Sequence, residues 1–586
     1  MNKVKEEKKY SFMGNVIIIL FAQIMVKLLG MVYRMVITNI DGFGNTGNGF
    51  YNAGFQVYTV LLAISSVGIP NAIAKMVSER AALGDYHGAH RIFKTALKLF
   101  SVIGLICTAI LYIGADFIAI HIMNMDGAQF VMRALAPSLF FVCLSSVIRG
   151  YFQGLYDMRA TSFSQMLEQI FKCVLTIMFV ILTVGVMPLV MQYITSSALL
   201  YNGGYTSTPP EIMAAWANAA SSTATIISFG YLLIYYLKRR QTINERIRMS
   251  ETQDDKTASS MSLAKKILML SIPISLSSII TAINRVVDLA TITRGIEVAF
   301  RDFIPAIGSS ASILNPSAQA LNTAAVTLSG MLSKSDTLIN MPLALNVAFA
   351  TVLVPSISAA IAKGDKTEAS EKTSFSMLIS ILLVLPCAIG YIALAQPIYN
   401  IIYPSTPDGA DLLAIMAVSM IFSALTQTIT GALQGIGKVL VPAMAILVGC
   451  VFKVVLNVVL IRIPWINIYG AAISSIVCQL VAFLINFAVL IRHIPAKVSL
   501  SKYVVKPLTA GISMGVAASV VYAVITHFTG MAYMSNIIAT VVAITTAAVV
   551  YITLILAMHI MDKEDILLLP MGAKIYNLLL KLKIYK

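Results

Sequence analysis

A small set of charged side chains lies inside long apolar stretches, where an ionisable group is costly and marks either a binding pathway or a buried pair. Lys27 and Arg34 are seven residues apart, two helical turns, and so share a helix face. Basic side chains there can bind an anion, a phosphate above all, through charge-assisted hydrogen bonds. The candidate binding residues are Lys27, Arg34, Glu168, Lys172, Arg285, Asp288 and Lys453.

Some of these charges stand next to an opposite charge. Glu168 and Lys172 have i,i+4 spacing and Arg285 and Asp288 have i,i+3 spacing, so each pair could neutralise itself as a structural ion pair. Arg34 has no acid within a turn, and its alternative is a side chain that extends to the membrane interface. The sequence alone leaves substrate binding and these alternatives open.

The composition indicates which elements carry these residues. The chain of 586 residues is 58% hydrophobic and only 12% charged, whereas soluble domains average about 25% charged residues. Apolar runs of roughly 20 residues, enough to cross a bilayer, recur throughout. We therefore predict an all-α integral membrane protein with about fourteen spans, at 12–38, 50–77, 93–114, 131–154, 161–187, 211–237, 266–292, 338–361, 373–395, 410–434, 439–461, 468–491, 504–527 and 535–559.

The connections alternate in charge. The stretches 39–49, 115–130 and 188–210 contain neither lysine nor arginine. Because basic loops remain in the cytoplasm, both termini are expected there, and the protein is expected in the bacterial cytoplasmic membrane. The basic connections contain Lys75, Arg80, Arg91 and Lys94, then Arg149 and Arg159, then eight basic residues from Lys238 to Lys266.

The net charge of +16 lies mostly in these juxtamembrane segments, where it orients the chain and attracts anionic lipid. We therefore expect membrane lipids as neighbours and no nucleic-acid partner. The expected organisation is an N-terminal lobe at 1–237, a cytoplasmic basic loop at 238–265, a C-terminal lobe core at 266–491, two further spans in 492–559 and a cytoplasmic amphipathic tail at 560–586.

The two halves of the chain also repeat each other in the same direction, which predicts two pseudo-symmetric seven-helix lobes with a cavity between them. The Gly-x-x-x-Gly spacings within this repeat favour close helix packing. An offset of 281 residues superposes Gly150 on Gly431, Gln153 on Gln434, Gly154 on Gly435 and Lys172 on Lys453.

A second echo needs slightly different offsets. Ile69-Pro70 corresponds to Val354-Pro355, and Gly84-Asp85 corresponds to Gly364-Asp365. Because proline removes a helical hydrogen bond, Pro70 and Pro355 are expected to break or kink helices and could serve as hinges.

At these segments the sequence resembles the MOP/MATE exporter superfamily, specifically its SpoVB/YtgP branch of polysaccharide biosynthesis proteins, which is related to the lipid II flippase MurJ. The resemblance implies a fourteen-helix, two-lobed fold that exports an undecaprenyl-pyrophosphate-linked cell-wall precursor. It is carried by KLLGMVYRMVITNIDG (27–42), GIPNAIAKMVSE (68–79), RGYFQGLYDMRATSFSQMLEQIFK (149–172), PISLSSIITAINRVVD (273–288), NMPLALNVAFATVLVPSIS (340–358) and LQGIGKVLVPAMAILVGCVFKVVLN (433–457).

The cations depart from the MurJ pattern, which places arginines in helices one, two and eight. Lys27 matches the first of these, and Arg34 falls one residue later than the family spacing. The places in helices two and eight read Leu62-Ala63 and Thr337, without arginine. The resemblance still implies an anion-binding interior, with Arg285 as a compensating cation.

We expect no enzymatic activity and no cofactor. The chain has no H-E-x-x-H or P-loop motif, so transport must draw on an ion gradient or the membrane potential. All six cysteines lie in apolar runs, which predicts neither disulfides nor a metal cluster. The protein is expected to be a monomer that binds a polyprenyl-pyrophosphate glycolipid.

Three other functions remain open. A flippase for another polysaccharide or teichoic repeat unit would share the fold and the cations. A cation-coupled multidrug exporter would need an intramembrane acid, whereas the first helix offers only Lys27 and Arg34. A membrane glycosyltransferase or polymerase would need a large external loop with carboxylates, and the largest outer loop expected, 293–337, has few acids.

Overall fold

The structure is a computed structural model. It describes the chain except residues 1–11, 67, 186–207, 251–259, 308–310, 363–364, 495–498, 531, 568–575 and 577–586. The chain divides into two compact units, Met1–Gly330 and Met331–Lys586.

The first unit contains nine helices in its described part, and the beginning of a tenth. They are α1 (Phe12–Thr38), α2 (Gly44–Ser66), α3 (Gly68–Ala82), α4 (Tyr86–Ile113), α5 (Ala115–Phe117), α6 (Ala128–Gly154), α7 (Arg159–Gly185), α8 (Pro210–Arg248) and α9 (Ser260–Ala299), with a π-helical turn at Ile118–Ile122. A two-residue antiparallel hairpin, β1 (Phe303–Ile304) with β2 (Ile313–Leu314), precedes α10 (Ala318–Ala362), and the unit boundary falls inside α10.

In the second unit, the described helices after α10 are α11 (Lys366–Ile402), α12 (Ala410–Gly435), α13 (Leu440–Leu460), α14 (Ile468–His493), α15 (Lys506–Thr529), α16 (Tyr533–Ala557) and α17 (Lys563–Leu567), with a π-helical turn at Ser501–Val505. Helix α11 bends at Leu394, whose φ of −122° and ψ of 25° are not helical. Pro397, three residues later, cannot donate a backbone hydrogen bond to the preceding turn, which explains the bend.

The prediction of an all-α membrane protein is confirmed. Each predicted span falls on a helix, or for 50–77 on the pair α2 and α3. Within the described residues, eleven helices are long and apolar enough to cross a bilayer, so the number fourteen stays a prediction. All six cysteines are free thiols, and all but Cys387 are buried.

Two segments predicted as loops are largely helical. The expected outer loop 293–337 is short, because α9 continues to Ala299 and α10 already begins at Ala318. The expected basic loop 238–265 is also shortened, because α8 continues to Arg248. The polar composition of these extensions had suggested loops, and Gly295 in the first of them does not end the helix.

The division between the units lies later in the chain than the predicted lobe boundary at 237–266. Helix α9 packs against α2 and α3, so it belongs to the first unit. At Gly68 a Cβ atom would lie only 2.3 Å from the Ser271 carbonyl oxygen. The hydroxyl of Thr293 also donates to the Met123 carbonyl at 2.6 Å. This contact was not visible in the sequence because the two segments are far apart along the chain.

The glycines of the Gly150-x-x-x-Gly154 segment form the contact between α6 and α3. A Cβ at Gly150 would lie 2.9 Å from the Pro70 Cα, and one at Gly154 would lie 2.7 Å from the Val77 Cβ. Pro70 is the third residue of α3 and is buried. Pro70 and these glycines therefore belong to one packing interface.

The equivalent residues of the second half are only partly described. Gly431 is buried in α12, while Gln434 is exposed. Pro355 lies inside α10, which is assigned as one continuous helix, and its side chain lies outside the described part. Close helix packing at Gly431 and Gly435 stays a prediction, as does a hinge at Pro355.

Other features support the internal repeat. Asp85 accepts a hydrogen bond from the Gly88 N–H at the start of α4, and Asp365 accepts one from Glu368 N–H at the start of α11. Both aspartates of the second echo therefore cap helices. Thr46 of α2 and Thr327 of α10, which are 281 residues apart, join their hydroxyls at 2.9 Å.

The charge asymmetry of the loops predicts that the extended end of α8 is cytoplasmic and that 403–409 is external. In a cysteine-free background, a cysteine at exposed Asn244 should resist an impermeant thiol reagent added to intact cells, and one at exposed Ser405 should react. Ile243, only 7% exposed, is a poor position for this test. Labelling of position 244 from outside, with position 405 protected, would reverse the orientation.

Candidate functional site

Three helices of the first unit bring cations and aromatic rings together. Helix α1 supplies Tyr33 and Arg34, α2 supplies Tyr51 and Phe55, and α7 supplies Lys172. Tyr33 and Tyr51 are 5% and 1% exposed, and their hydroxyls lie 2.9 Å apart. We call these five residues the tyrosine–cation cluster.

The cations of the cluster lie over aromatic faces. The Arg34 guanidinium carbon is 4.7 Å from the centroid of the Tyr51 ring. The Lys172 ammonium is 4.9 Å from the Phe55 ring and 5.5 Å from the Tyr33 ring. Each such contact contributes about 0.5–2 kcal/mol. Tyr33 also hydrogen-bonds the Lys172 ammonium, so the rings and this hydroxyl together hold the positive charge in place.

The i,i+4 pairing of Glu168 with Lys172 is not what the structure contains. A Glu168 carboxylate oxygen instead lies 2.9 Å from Arg149 Nη2, while its other oxygen accepts from the Thr225 hydroxyl at 3.2 Å. Arg149 was assigned to a cytoplasmic connection, but its side chain is only 12% exposed. Tertiary packing placed a better donor beside Glu168, because a guanidinium fork satisfies several acceptors at once.

Arg149 connects three helices. From α6 it donates through Nε to the Ser164 hydroxyl of α7 at 2.9 Å, and through Nη2 to the Ser228 hydroxyl of α8 at 3.1 Å. Nearby, Gln153 donates to the Thr161 hydroxyl at 3.1 Å. The Glu168 charge is thus neutralised by Arg149, and the Lys172 charge is left with rings and hydroxyls.

Helices α1 and α9 supply a second pair of cations. Lys27 and Arg285 both have exposed side chains, and their positive charges act on each other. Two like charges in proximity repel unless an anion lies near both of them. The ion pair between Arg285 and Asp288 stays a prediction. The role of Asp288 in substrate binding also stays a prediction.

In the second unit, Lys453 of α13 is half-buried, one turn before Asn457. Asn457 is fully buried and accepts a hydrogen bond from the Ser474 hydroxyl of α14 at 2.5 Å. The repeat predicts Lys453 as the equivalent of Lys172 in the second half, and its role in binding stays a prediction.

Several residues of the site were missed from the sequence. Tyr33, Tyr51 and Phe55 appear there as ordinary apolar positions, although aromatic residues at one-turn spacing on α2 next to a cationic helix were a usable signal. Lys334 was missed because it fell in the expected outer loop. In the structure it is 0% exposed in α10. Among the described residues, no three His, Cys, Asp or Glu side chains are arranged to hold a metal ion.

The Arg149–Glu168 pair can be tested by a mutant cycle. Arg149→Met and Glu168→Gln should each lower the thermal stability of the purified protein, because each leaves a half-buried charge without its partner. The double variant should recover part of this loss, with a coupling of about 0.5–3 kcal/mol. Glu168→Gln with Lys172→Met serves as the control cycle and should be additive. Strong coupling in the control cycle and none with Arg149 would restore the i,i+4 pairing.

The sequence and fold were compared with known proteins. A model of the polysaccharide biosynthesis protein family matches residues 12–208, and a model of the lipid II flippase MurJ family matches residues 285–560. Lipid II flippase MurJ of Bacillus subtilis is 25% identical over 518 residues, covering 86% of this chain and 87% of that protein. Stage V sporulation protein B of the same organism is 22% identical over 563 residues, covering 96% and 98%.

Solved structures share the fold. A MurJ structure in an inward closed conformation has a TM-score of 0.61 at 14% identity, covering 92% of this chain and 98% of that one. An inward-facing MATE multidrug transporter has a TM-score of 0.57 at 15% identity, covering 82% and 100%. The two family models match complementary parts of the chain, and the relatives cover nearly all of it. The chain is thus similar in sequence to polysaccharide biosynthesis proteins, to MurJ and to stage V sporulation protein B, and it shares its fold with MurJ and MATE transporters.

Proposed function

We propose that this protein is a flippase that exports an undecaprenyl-pyrophosphate-linked cell-wall precursor, with lipid II as the leading candidate, across the bacterial cytoplasmic membrane by alternating access. The observation that carries the proposal is the tyrosine–cation cluster. Lys172 and Arg34 lie over aromatic rings, while the nearby acid Glu168 is neutralised by Arg149. The interior of the first unit thus offers positive charge to an anionic ligand.

The chemistry of a lipid pyrophosphate fits these residues. Its phosphate oxygens accept charge-assisted hydrogen bonds from guanidinium and ammonium groups. Lys27 and Arg285 offer a second pair of cations, whose repulsion a doubly charged headgroup would relieve. The similarity to a Bacillus subtilis protein named as a lipid II flippase supports the same substrate class.

A multidrug exporter is less well supported. A transporter of organic cations needs an available acid at membrane depth, and both Glu168 carboxylate oxygens already accept hydrogen bonds, one from Arg149 and one from Thr225. A flippase for another polysaccharide or teichoic unit remains the second candidate, because any polyprenyl-pyrophosphate carrier presents the same phosphates. The choice between these carriers depends on the sugar.

The remaining properties follow from the same proposal. The protein acts as a monomer, without a cofactor or enzymatic activity, and draws on the membrane potential or an ion gradient. Both termini lie in the cytoplasm. The headgroup binds the cations of the first unit from the cytoplasmic side and leaves on the external side, while the polyprenyl chain stays in lipid.

Complementation tests the substrate. The protein should support growth of a bacterial strain depleted of its own lipid II flippase, and labelled lipid II should become accessible to an external reagent in proteoliposomes. Growth rescue together with flipping would identify lipid II. Flipping of another undecaprenyl-linked unit without flipping of lipid II would move the assignment to the second candidate.

Arginine substitutions test the phosphate contacts. Arg34→Ala and Arg285→Ala should each slow outward flipping tens- to hundredfold, since loss of a charge-assisted contact costs about 2–3 kcal/mol. Arg→Lys at either position should restore little, because lysine cannot reproduce the bidentate fork. Arg133→Ala is the matched control, since that residue pairs with Asp116 at the surface and is 37% exposed.

Expression in the membrane is checked by blot for every variant. Wild-type flipping by well-expressed Arg34→Ala and Arg285→Ala proteins would exclude both as phosphate ligands and favour their structural interpretations. Full rescue by Arg→Lys would show that positive charge suffices without bidentate geometry.

A further inference from the structure

Helix α10 carries a lysine that the proposed binding site does not use. Lys334 is 0% exposed and is among the largest fully buried side chains of the protein. Its ammonium donates to the backbone carbonyls of Thr406 at 2.6 Å and of Asp408 at 2.9 Å. These carbonyls belong to the connection between α11 and α12, residues 403–409, which we call the 403–409 loop.

Two tyrosines complete the surroundings of this ammonium. It lies 5.2 Å from the centroid of the Tyr399 ring and 5.0 Å from that of Tyr403. The two rings meet edge to face at 5.3 Å, and the Tyr399 hydroxyl is held by the Ser335 hydroxyl at 2.7 Å. Lys334 therefore lies in a cage of two rings and two carbonyls, built by α10, the end of α11 and the loop.

The local backbone explains why the carbonyls point at Lys334. Helix α11 ends at Ile402, so carbonyls beyond it have no helical N–H partner and can accept from a side chain. Gly409 has a φ of 95° and starts α12, and a Cβ there would lie 3.2 Å from the Cβ of Met331. The loop is thus held directly against the turn of α10 that precedes Lys334.

The charge of Lys334 is compensated only in part. Taking an ammonium out of water costs several kcal/mol, and carbonyl dipoles and rings replace less of its hydration than a contacting carboxylate would. The Thr406 hydroxyl is buried without a described hydrogen-bond partner. The titratable groups around the cage are Tyr399 and Tyr403, the Asp408 side chain, which acts electrostatically on Lys334, and Asp336 beside Tyr399.

We propose that Lys334 is a proton-binding site that couples the proton gradient to movement of the 403–409 loop. The ammonium releases one proton to water and becomes a neutral amine. The amine keeps two N–H donors, but its hydrogen bonds to carbonyls are roughly half as strong, and its attraction to the rings is lost. Deprotonation therefore loosens the loop from α10, and protonation closes it.

This inference rests on the proposed function only for its coupling to transport. Lysine suits the role because its protonation responds to burial, whereas arginine stays charged at every accessible pH. The Lys334→Arg variant should thus hold the loop without exchanging a proton. The Lys334→Met variant should neither hold the loop nor exchange a proton.

The first measurement needs no substrate. A single cysteine at Thr406, whose hydroxyl is buried while the loop is held, is labelled with an impermeant maleimide across a range of pH. Its rate is divided by that of a cysteine at exposed Asn244 measured from the other face of the membrane. In the wild-type background, this ratio should rise about tenfold as the pH is raised, because deprotonation of Lys334 releases the loop. The transition should have the steepness expected for loss of a single proton. In Lys334→Arg the ratio should stay low and flat, and in Lys334→Met it should stay high and flat.

A ratio that does not change with pH in the wild-type background overturns the proposal, whether or not the variants fold. A pH-dependent ratio that persists in Lys334→Met also overturns it, since the proton would then bind elsewhere. Monodispersity in detergent is checked for both variants. Lys372→Met, at a surface pair with Glu368 in the same unit, is the control and should behave like wild type.

The second measurement is flipping of labelled lipid II in proteoliposomes under an imposed pH difference at constant membrane potential. The wild-type rate should depend on the pH difference, and the rates of Lys334→Arg and Lys334→Met should not. A pH-sensitive loop without any flipping would refute the proposed function and leave the proton site intact. Flipping that depends only on membrane potential would refute the coupling and leave the flippase intact.

Discussion

The cost of holding a positive charge among apolar helices constrains both units of this protein. An ammonium or guanidinium loses its hydration when helices pack around it, and the loss must be replaced by protein groups. The backbone of a continuous helix cannot help, because its carbonyls already accept helical hydrogen bonds. Replacement must therefore come from side chains on neighbouring helices or from carbonyls beyond a helix end.

The described residues meet this cost in three ways. Arg149 is paired with Glu168 and with two serine hydroxyls, so its charge is fully satisfied and it stabilises the contact of α6, α7 and α8. Lys172 lies over aromatic rings, which attract it without neutralising its charge. Lys334 has rings and loop carbonyls. In the proposed mechanism, these three arrangements correspond to a structural charge, a ligand-binding charge and an exchangeable proton.

Close packing supports these arrangements. Gly150 and Gly154 let α6 approach the backbone of α3 at Pro70 and Val77, so α6 can carry Arg149 to a fixed place beside α7. Helix α2 approaches α10 in the same way. A Cβ at Gly49 of α2 would lie only 2.2 Å from the Val326 carbonyl oxygen of α10, and Asn48 donates to the Gly330 carbonyl at 3.1 Å. Small residues thus place the helices whose larger side chains bind or neutralise charge. A methyl group at any of these glycines would move a whole helix.

The sequence by itself determined the class of fold, the positions of the helices and the candidate cations, because apolar runs of bilayer length and their interrupting charges are local features. It also identified the repeat, including Asp85 and Asp365, whose role as helix caps became visible only in the structure. It could not assign the partners. Glu168 has Lys172 one turn away but pairs with Arg149 from another helix, and Lys334 has its acceptors 72 and 74 residues away. Only the tertiary structure decided which charge is neutralised and which remains available, because that depends on which side chains meet across helices and not on their order in the chain.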